Sequence, residues 1–121
     1  MKFTEEHLWL RVEEGEEEIT VGLTTYGASL LGEAKFIELP EEGDVISVDD
    51  PVVVIEGEDD AIDILAPIDG EITEVNTPLT RTPDTFSEDP QGDGWLFKMS
   101  LEDEDALDEM MDEATYQKYI R

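Results

Sequence analysis

Short apolar runs, many of them rich in β-branched residues and each bounded by turn-forming residues, follow one another along most of the chain. Such runs at roughly ten-residue intervals are typical of an all-β barrel or sandwich. Strands are predicted over residues 7–12, 18–23, 34–39, 45–48, 51–55, 61–66, 71–76 and 95–99. A long loop rich in Thr, Pro and Asp is predicted over residues 77–94. The pattern therefore predicts a mainly β protein.

Two segments depart from the strand pattern and predict helices. In the N-terminal half, Thr24 or Thr25 would cap a short helix over residues 26–31, and Gly32 would end it. Near the C-terminus, apolar residues recur at helical spacing at Leu107, Met110, Met111 and Ala114.

We predict one amphipathic C-terminal helix over about residues 101–120. Ser100 would be its N-cap, and acidic residues 102–105 would lie in its first turn, where the helix dipole favours negative charge. Met110 and Met111 are interpreted as residues that pack on the barrel, in preference to a methionine face that binds a partner.

The charge balance excludes several classes of ligand. The chain of 121 residues has 34 Asp and Glu against 7 Lys and Arg, a formal net charge of −27. A surface this acidic repels nucleic-acid phosphates and anionic lipids, because binding either requires clustered Lys and Arg. Since the apolar residues fall in ordered runs and the acid is spread along the chain, we expect one folded domain over residues 1–121.

Few residues offer catalytic chemistry. The chain has no cysteine and one histidine, His7, which argues against thiol catalysis and against Cys- or multi-His-ligated metal. Without a nucleophile–base pair or a phosphate-binding glycine loop, no enzymatic activity of its own is expected. His7, Trp9 and Trp95 are interpreted as structural. Three glycines are assigned to turns that need a positive φ angle: Gly70, Gly92 and Gly94.

No apolar run approaches the roughly 20 residues of a membrane span. The first residues lack the apolar stretch of a signal peptide, so we expect a soluble, cytoplasmic protein. The acidity itself has two explanations that the residues leave open. One is adaptation to a high-salt cytoplasm, and the other is a basic partner attracted over a long range.

Several ordered blocks carry a resemblance to a known family. Val54-Ile55-Glu56, followed by residues 64–72, resembles the biotinyl and lipoyl carrier domains. Further blocks resemble the glycine cleavage system H proteins: residues 6–9, 21–24, 31–32, 36–43, 63–67, 70–72 and 89–95, with Asn76, Leu79 and Pro83. The resemblance implies a flattened β-barrel/sandwich hybrid with a short helix in its N-terminal half and a C-terminal amphipathic helix.

H proteins carry lipoate in amide linkage to a lysine at a hairpin tip, and this arm moves an aminomethyl group between enzymes. The resemblance places that lysine eight residues before Pro67 and three after Glu56, where this chain has Asp59. A carboxylate cannot be acylated in this way. The surrounding tip also departs from the small and apolar residues of the family, since it reads Glu56-Gly57-Glu58-Asp59-Asp60.

The lysines of the chain are Lys2, Lys35, Lys98 and Lys118, and none is expected at the tip. We therefore expect no lipoate and no other cofactor. The leading hypothesis is an H-protein-like interaction or regulatory module, with glycine-cleavage-type enzymes or lipoate-handling proteins as partners. One alternative is a carrier H protein acting in glycine catabolism. The other is a protein whose acidic tip binds a divalent cation, although the tip lacks the spacing of a known calcium loop.

Overall fold

The computed structural model describes residues 1–12, 18–101 and 105–120 of the chain. The predicted turn at residues 13–16 and part of the predicted first turn of the C-terminal helix, residues 102–104, lie outside the described residues. Nine strands are described: β1 Lys2–Phe3, β2 Leu8–Val12, β3 Glu18–Leu23, β4 Ala34–Glu38, β5 Val45–Ile46, β6 Pro51–Gly57, β7 Ala61–Leu65, β8 Gly70–Val75 and β9 Phe97–Ser100.

The described helices are short. They are α1 Thr25–Ser29, a 3₁₀ helix over Thr77–Thr80, α2 Pro83–Glu88, α3 Asp105–Asp108 and α4 Glu113–Tyr119. None of the helices in the described ranges is long and apolar enough to cross a membrane.

The strands form two antiparallel sheets that face each other across one main core. The larger sheet has the order β1-β2-β3-β9-β8-β5, and the smaller has the order β4-β6-β7. Val21 and Ile72 of the larger sheet and Ile37, Ile55 and Ile64 of the smaller one are all buried in the same cluster. Burying these side chains stabilises the fold by roughly 1.5–3 kcal/mol for each large aliphatic residue. The predicted mainly β sandwich is confirmed.

Strand β4 does not alternate as its sequence predicts. A β-bulge interrupts its pairing with β6 between Ala34 and Phe36. As a result Ile37 is buried, whereas Phe36 is 50% exposed. A bulge adds one residue to a strand and shifts the side chains that follow to the other face, which hydrophobic alternation by itself does not reveal.

The predicted loop over residues 77–94 is wrong in its first half. The 3₁₀ helix and α2 occupy this segment, and Leu79 and Phe86 are buried in the main core. Each helix has a proline in its first turn, Pro78 and Pro83, where the missing N–H has no helical partner to lose. The prolines that suggested a loop are therefore helix-starting residues.

The predicted C-terminal helix is two short helices and not one continuous helix. Met111 lies between them and pairs with Phe3, with each backbone N–H donating to the other's carbonyl at 2.8 and 3.0 Å. Asp112 then caps α4 by accepting a 2.8 Å hydrogen bond from the Thr115 N–H. Ser100 is the last residue of β9 and is not a helix cap; its hydroxyl accepts from the Glu71 N–H.

The two methionines do pack on the β-structure, but against different clusters. Met110 contacts the main core, while Met111 contacts a second cluster formed by Phe3, Trp9 and Tyr116. Ala114, which the helical pattern grouped with them, is exposed. The extended residue between the helices therefore turns one predicted apolar face into two contacts.

The turn role predicted for three glycines is wrong. Among the described glycines only Gly32 and Gly43 have positive φ angles, of 73° and 92°. Gly70 and Gly94 are instead required by close approach. A Cβ on Gly70 would lie 2.7 Å from the Ser100 carbonyl oxygen, and one on Gly94 would lie 2.7 Å from the Asp89 carbonyl oxygen. A Cβ on Gly92 would likewise collide with the Asp89 carboxylate.

Candidate functional site

The hairpin between β6 and β7 presents Asp59 at its end. Glu56 pairs with Ala61 across the hairpin, and the Gly57 N–H donates to the Asp60 carbonyl at 2.9 Å. Glu58 and Asp59 are therefore the two residues of the turn itself. The tip is shorter than the sequence suggested, because Glu56 and Gly57 belong to β6.

The tip is hydrogen-bonded through its backbone to the segment between α1 and β4. The Asp59 N–H donates to the Leu31 carbonyl at 2.9 Å, and the Glu58 N–H donates to the Glu33 carbonyl at 3.0 Å. Gly57 lies directly on the Leu31 carbonyl, where a Cβ would collide with it. Since Leu31 is itself buried in the core, the position of the tip is tied to the main body of the protein.

Gly32 makes room for the Asp59 side chain. Its φ angle is +73°, and an added Cβ would lie 2.7 Å from Asp59 Oδ2. Gly32 thus serves two purposes: it adopts a left-handed conformation after α1, which glycine does at little cost, and it leaves space for the Asp59 carboxylate.

Lys35 lies beside the acidic tip in space. Because Ala34 and Phe36 pair with Gly57 and Glu56, the bulged residue between them is next to the hairpin end. The Lys35 Nζ is 3.4 Å from Glu58 Oε1 and 3.8 Å from Glu33 Oε2, and all three side chains are about half exposed. Exposed pairs of this kind are worth roughly 0–1 kcal/mol.

The expectation that no lysine is at the tip therefore holds for the turn residues but misses a spatial neighbour. Pairing the predicted strand 34–39 antiparallel with 51–55 could have suggested it, whereas the bulge could not be read from the sequence. The other lysines lie on other elements: Lys2 on β1, Lys98 on β9 and Lys118 on α4.

The tip carboxylates do not converge on a common point. Glu58, Asp59 and Asp60 are all exposed, and within the described part of the chain no group of three or more His, Asp or Glu side chains could hold a metal ion. The cation-binding hypothesis stays a prediction, which calorimetric titration with Ca²⁺ would test.

A buried hydrogen-bond network fixes the other end of α1. The Tyr116 hydroxyl lies 2.7 Å from Thr24 Oγ1 and 2.8 Å from His7 Nδ1, and Thr24 Oγ1 also accepts from the Gly27 N–H. Of the two caps left open, Thr24 is thus the observed one. Sequence reasoning missed Tyr116, whose contacts are about 100 residues away along the chain.

The surroundings of His7 suit a structural residue. Partial burial lowers the pKa of His7 below its usual 6.5, and the neighbouring Glu6 carboxylate opposes this effect. Burial likewise raises the pKa of the Tyr116 hydroxyl. Trp9 is fully buried, as predicted, and its ring N–H donates to the Pro90 carbonyl at 3.0 Å, while Trp95 is partly buried.

Two facing antiparallel sheets with a hairpin tip tied to a short helix define a carrier-type β protein of the lipoyl-domain kind. A sequence model of the family described as "Glycine cleavage H-protein" matches residues 1–121. The chain belongs to this family, whose members are carrier proteins and not enzymes.

Individual relatives agree with the family match. The glycine cleavage system H protein of Idiomarina loihiensis is 39% identical over 120 residues, which cover 99% of this chain and 92% of that protein. The crystal structure of a glycine cleavage system H protein from Mycobacterium marinum superimposes with a TM-score of 0.82 at 30% identity, covering 98% of this chain and 91% of that one. The fold implied by the resemblance is therefore confirmed.

Proposed function

We propose that this chain is an H-protein-like interaction module that does not carry lipoate. The observation that carries the proposal is Asp59 at the hairpin turn, where the resemblance to the family expects the acceptor lysine. Amide formation needs a nucleophilic amine, and a carboxylate offers none. The chain would then bind or regulate its partners without transferring an aminomethyl group.

The charge around Asp59 supports the proposal. Glu58 precedes it and Asp60 follows it, and all three side chains are exposed at the turn. An attachment enzyme that seats an uncharged tip around a lysine would meet like charges placed side by side, which weakens association. The whole tip, and not one residue alone, departs from an acceptor site.

The partners in this proposal are glycine-cleavage-type enzymes or lipoate-handling proteins. Its support is the family match over residues 1–121, which spans the surface around the tip as well as the core. Such a module could occupy an enzyme's docking site and so limit access by a lipoylated carrier.

A second candidate, a lipoylated carrier acting in glycine catabolism, is favoured by one observation. The Lys35 Nζ is 3.4 Å from a carboxylate of the tip, so a primary amine is present close to the usual position. Against it, Lys35 projects from a strand inside the sheet, and its ammonium group is paired with Glu33 and Glu58. A protonated amine in an ion pair is a poor nucleophile.

The intact mass of the chain after co-expression with a lipoate ligase and lipoate separates the two candidates. We expect the unmodified mass, while a lipoyl domain with an acceptor lysine in the same cells gains the adduct. A lipoyl adduct on this chain would overturn the proposal. If that adduct disappeared in Lys35→Arg and persisted in Lys98→Arg, the second candidate would replace it.

A further inference from the structure

The exposed face of α1 continues from the acidic tip as an apolar surface. Tyr26 and Leu30 are four residues apart, so they lie on the same face of the helix. They are 38% and 52% exposed, which is unusual for large apolar side chains in a chain this acidic. The next residue, Leu31, accepts the hydrogen bond from Asp59 at the tip.

Tyr119 extends this surface at the other end of α1. His7 lies between the two tyrosines, with ring centroids 4.9 Å from Tyr26 and 6.1 Å from Tyr119. Tyr119 is 49% exposed. We call Tyr26, Leu30 and Tyr119 the α1 patch. Three side chains from two distant parts of the chain thus form one apolar strip that begins beside the hairpin tip.

Carboxylates lie at both ends of the α1 patch. Glu5 and Glu6 are exposed next to His7, and the Tyr119 hydroxyl donates to the Glu5 carbonyl at 3.4 Å. At the other end, Glu33 and Asp59 are exposed on either side of Gly32. Helix α1 itself carries no basic residue. The patch is therefore an apolar centre between two acidic ends.

We propose that the α1 patch, together with the tip carboxylates, is the docking surface for a protein partner that presents an apolar groove flanked by Lys and Arg. Aromatic and leucine side chains at the centre of an interface supply most of its binding energy. Complementary charges around them guide association and select the partner. A second copy of this chain fits poorly, because its own acidic ends would face those of the first.

This inference rests on the proposed function, since the partners to be tested are glycine-cleavage-type enzymes. The three probes are the aminomethyl-transferring decarboxylase, the aminomethyltransferase and the dehydrogenase from the same source. Binding of each to the immobilised full chain is measured by surface plasmon resonance at several salt concentrations. We expect at least one to bind, with affinity that falls as salt screens the acidic ends.

The test variant is Tyr26→Ala/Leu30→Ala. The matched control is Val45→Ala/Val48→Ala, which removes apolar side chains that are 79% and 52% exposed elsewhere. We expect the test variant to bind about tenfold more weakly or worse, and the control to bind as the wild type does. Thermal unfolding of both variants shows that they are folded, since all four side chains are exposed.

The outcomes separate the inference from the proposed function. If the wild type binds none of the three enzymes, the proposed function fails and the docking surface fails with it. If the wild type binds and the Tyr26→Ala/Leu30→Ala variant binds equally well, only the docking surface is overturned. Dimerisation of the wild type that this variant abolishes would also overturn it, because the patch would then be occupied by a second copy.

Discussion

The backbone N–H of Asp59 donates a 2.9 Å hydrogen bond to the carbonyl of Leu31, joining the hairpin turn to the end of the helix α1 segment. Leu31 is buried and Asp59 is exposed. The bond therefore sets the position of an exposed acidic residue from inside the core. Any partner that recognises the tip also meets the neighbouring face of α1, because the two are held together.

Restoring the lysine alone should not restore an efficient acceptor. We expect Asp59→Lys to be lipoylated poorly, because Glu58 and Asp60 flank it and favour the protonated, non-nucleophilic amine. Adding Glu58→Gln and Asp60→Ala should raise the rate by about tenfold, the effect of one unit in amine pKa. Intact mass over a time course measures both rates, and efficient modification of Asp59→Lys alone would contradict this prediction.

The close approach of Gly57 to Leu31 should make the tip sensitive to one added methyl group. Gly57→Ala places a Cβ against the Leu31 carbonyl, so the backbone must move and the tip bonds must lengthen. We expect a loss of about 1–3 kcal/mol in the free energy of unfolding, measured by urea denaturation. Glu58→Ala, at an exposed neighbouring position, is the control and should cost little. Equal stabilities of the two variants would show that the hairpin is not tied to the α1 segment.

The cap of α1 should matter more than its sequence neighbour. Thr24→Val keeps the shape of the side chain but removes the oxygen that accepts from the Gly27 N–H and contacts the Tyr116 hydroxyl. We expect a loss of about 1–3 kcal/mol in unfolding free energy. Thr25→Val is the matched control, because Thr25 is exposed and contributes its backbone N–H to Gln91. A larger loss in the control would contradict the observed cap.

His7 should make stability depend on pH near neutrality. Since burial lowers the pKa of His7 in the folded protein below its usual 6.5, the unfolded chain binds the proton more readily. Stability is therefore greatest above about pH 6.5 and falls as the pH drops from there towards the folded pKa. Thermal unfolding of the wild type from about pH 8 to pH 5 should show this fall.

The matched variant for that measurement is His7→Asn. His7 has a φ angle of 69°, a left-handed conformation that Asn adopts more readily than most residues. The variant should lose the component of pH dependence between neutrality and the onset of carboxylate titration. If wild type and variant show the same pH dependence throughout this range, His7 is not its source.

The order of the strands and the identity of the residue at the turn could both be predicted from local sequence. Alternating runs such as residues 18–23 and 71–76 match β3 and β8 closely, because a half-buried strand shows its burial directly in its residue pattern. Asp59 could likewise be placed at a hairpin end, because turn residues separate two clear strands. The family resemblance then supplied the chemistry expected there.

Local patterns misled where a distant contact determined the structure. Met111 reads as a helical position, yet its pairing with Phe3 at the other end of the chain keeps it extended. Residues 77–88 read as a loop, yet Leu79 and Phe86 are drawn into the core and the segment forms helices. In each case tertiary burial outweighs the local propensity, which is a small energy by comparison.

The amino-acid sequence alone decides that this is an acidic β protein whose hairpin turn carries a carboxylate, because strand periodicity, net charge and residue type are local properties. Only the folded structure decides what surrounds that carboxylate. Lys35 comes beside Glu58 through a bulge in β4, and Tyr26, Leu30 and Tyr119 come together beside the tip through α1 and α4. These neighbours depend on pairing and packing between segments far apart in the chain, and no local pattern encodes that.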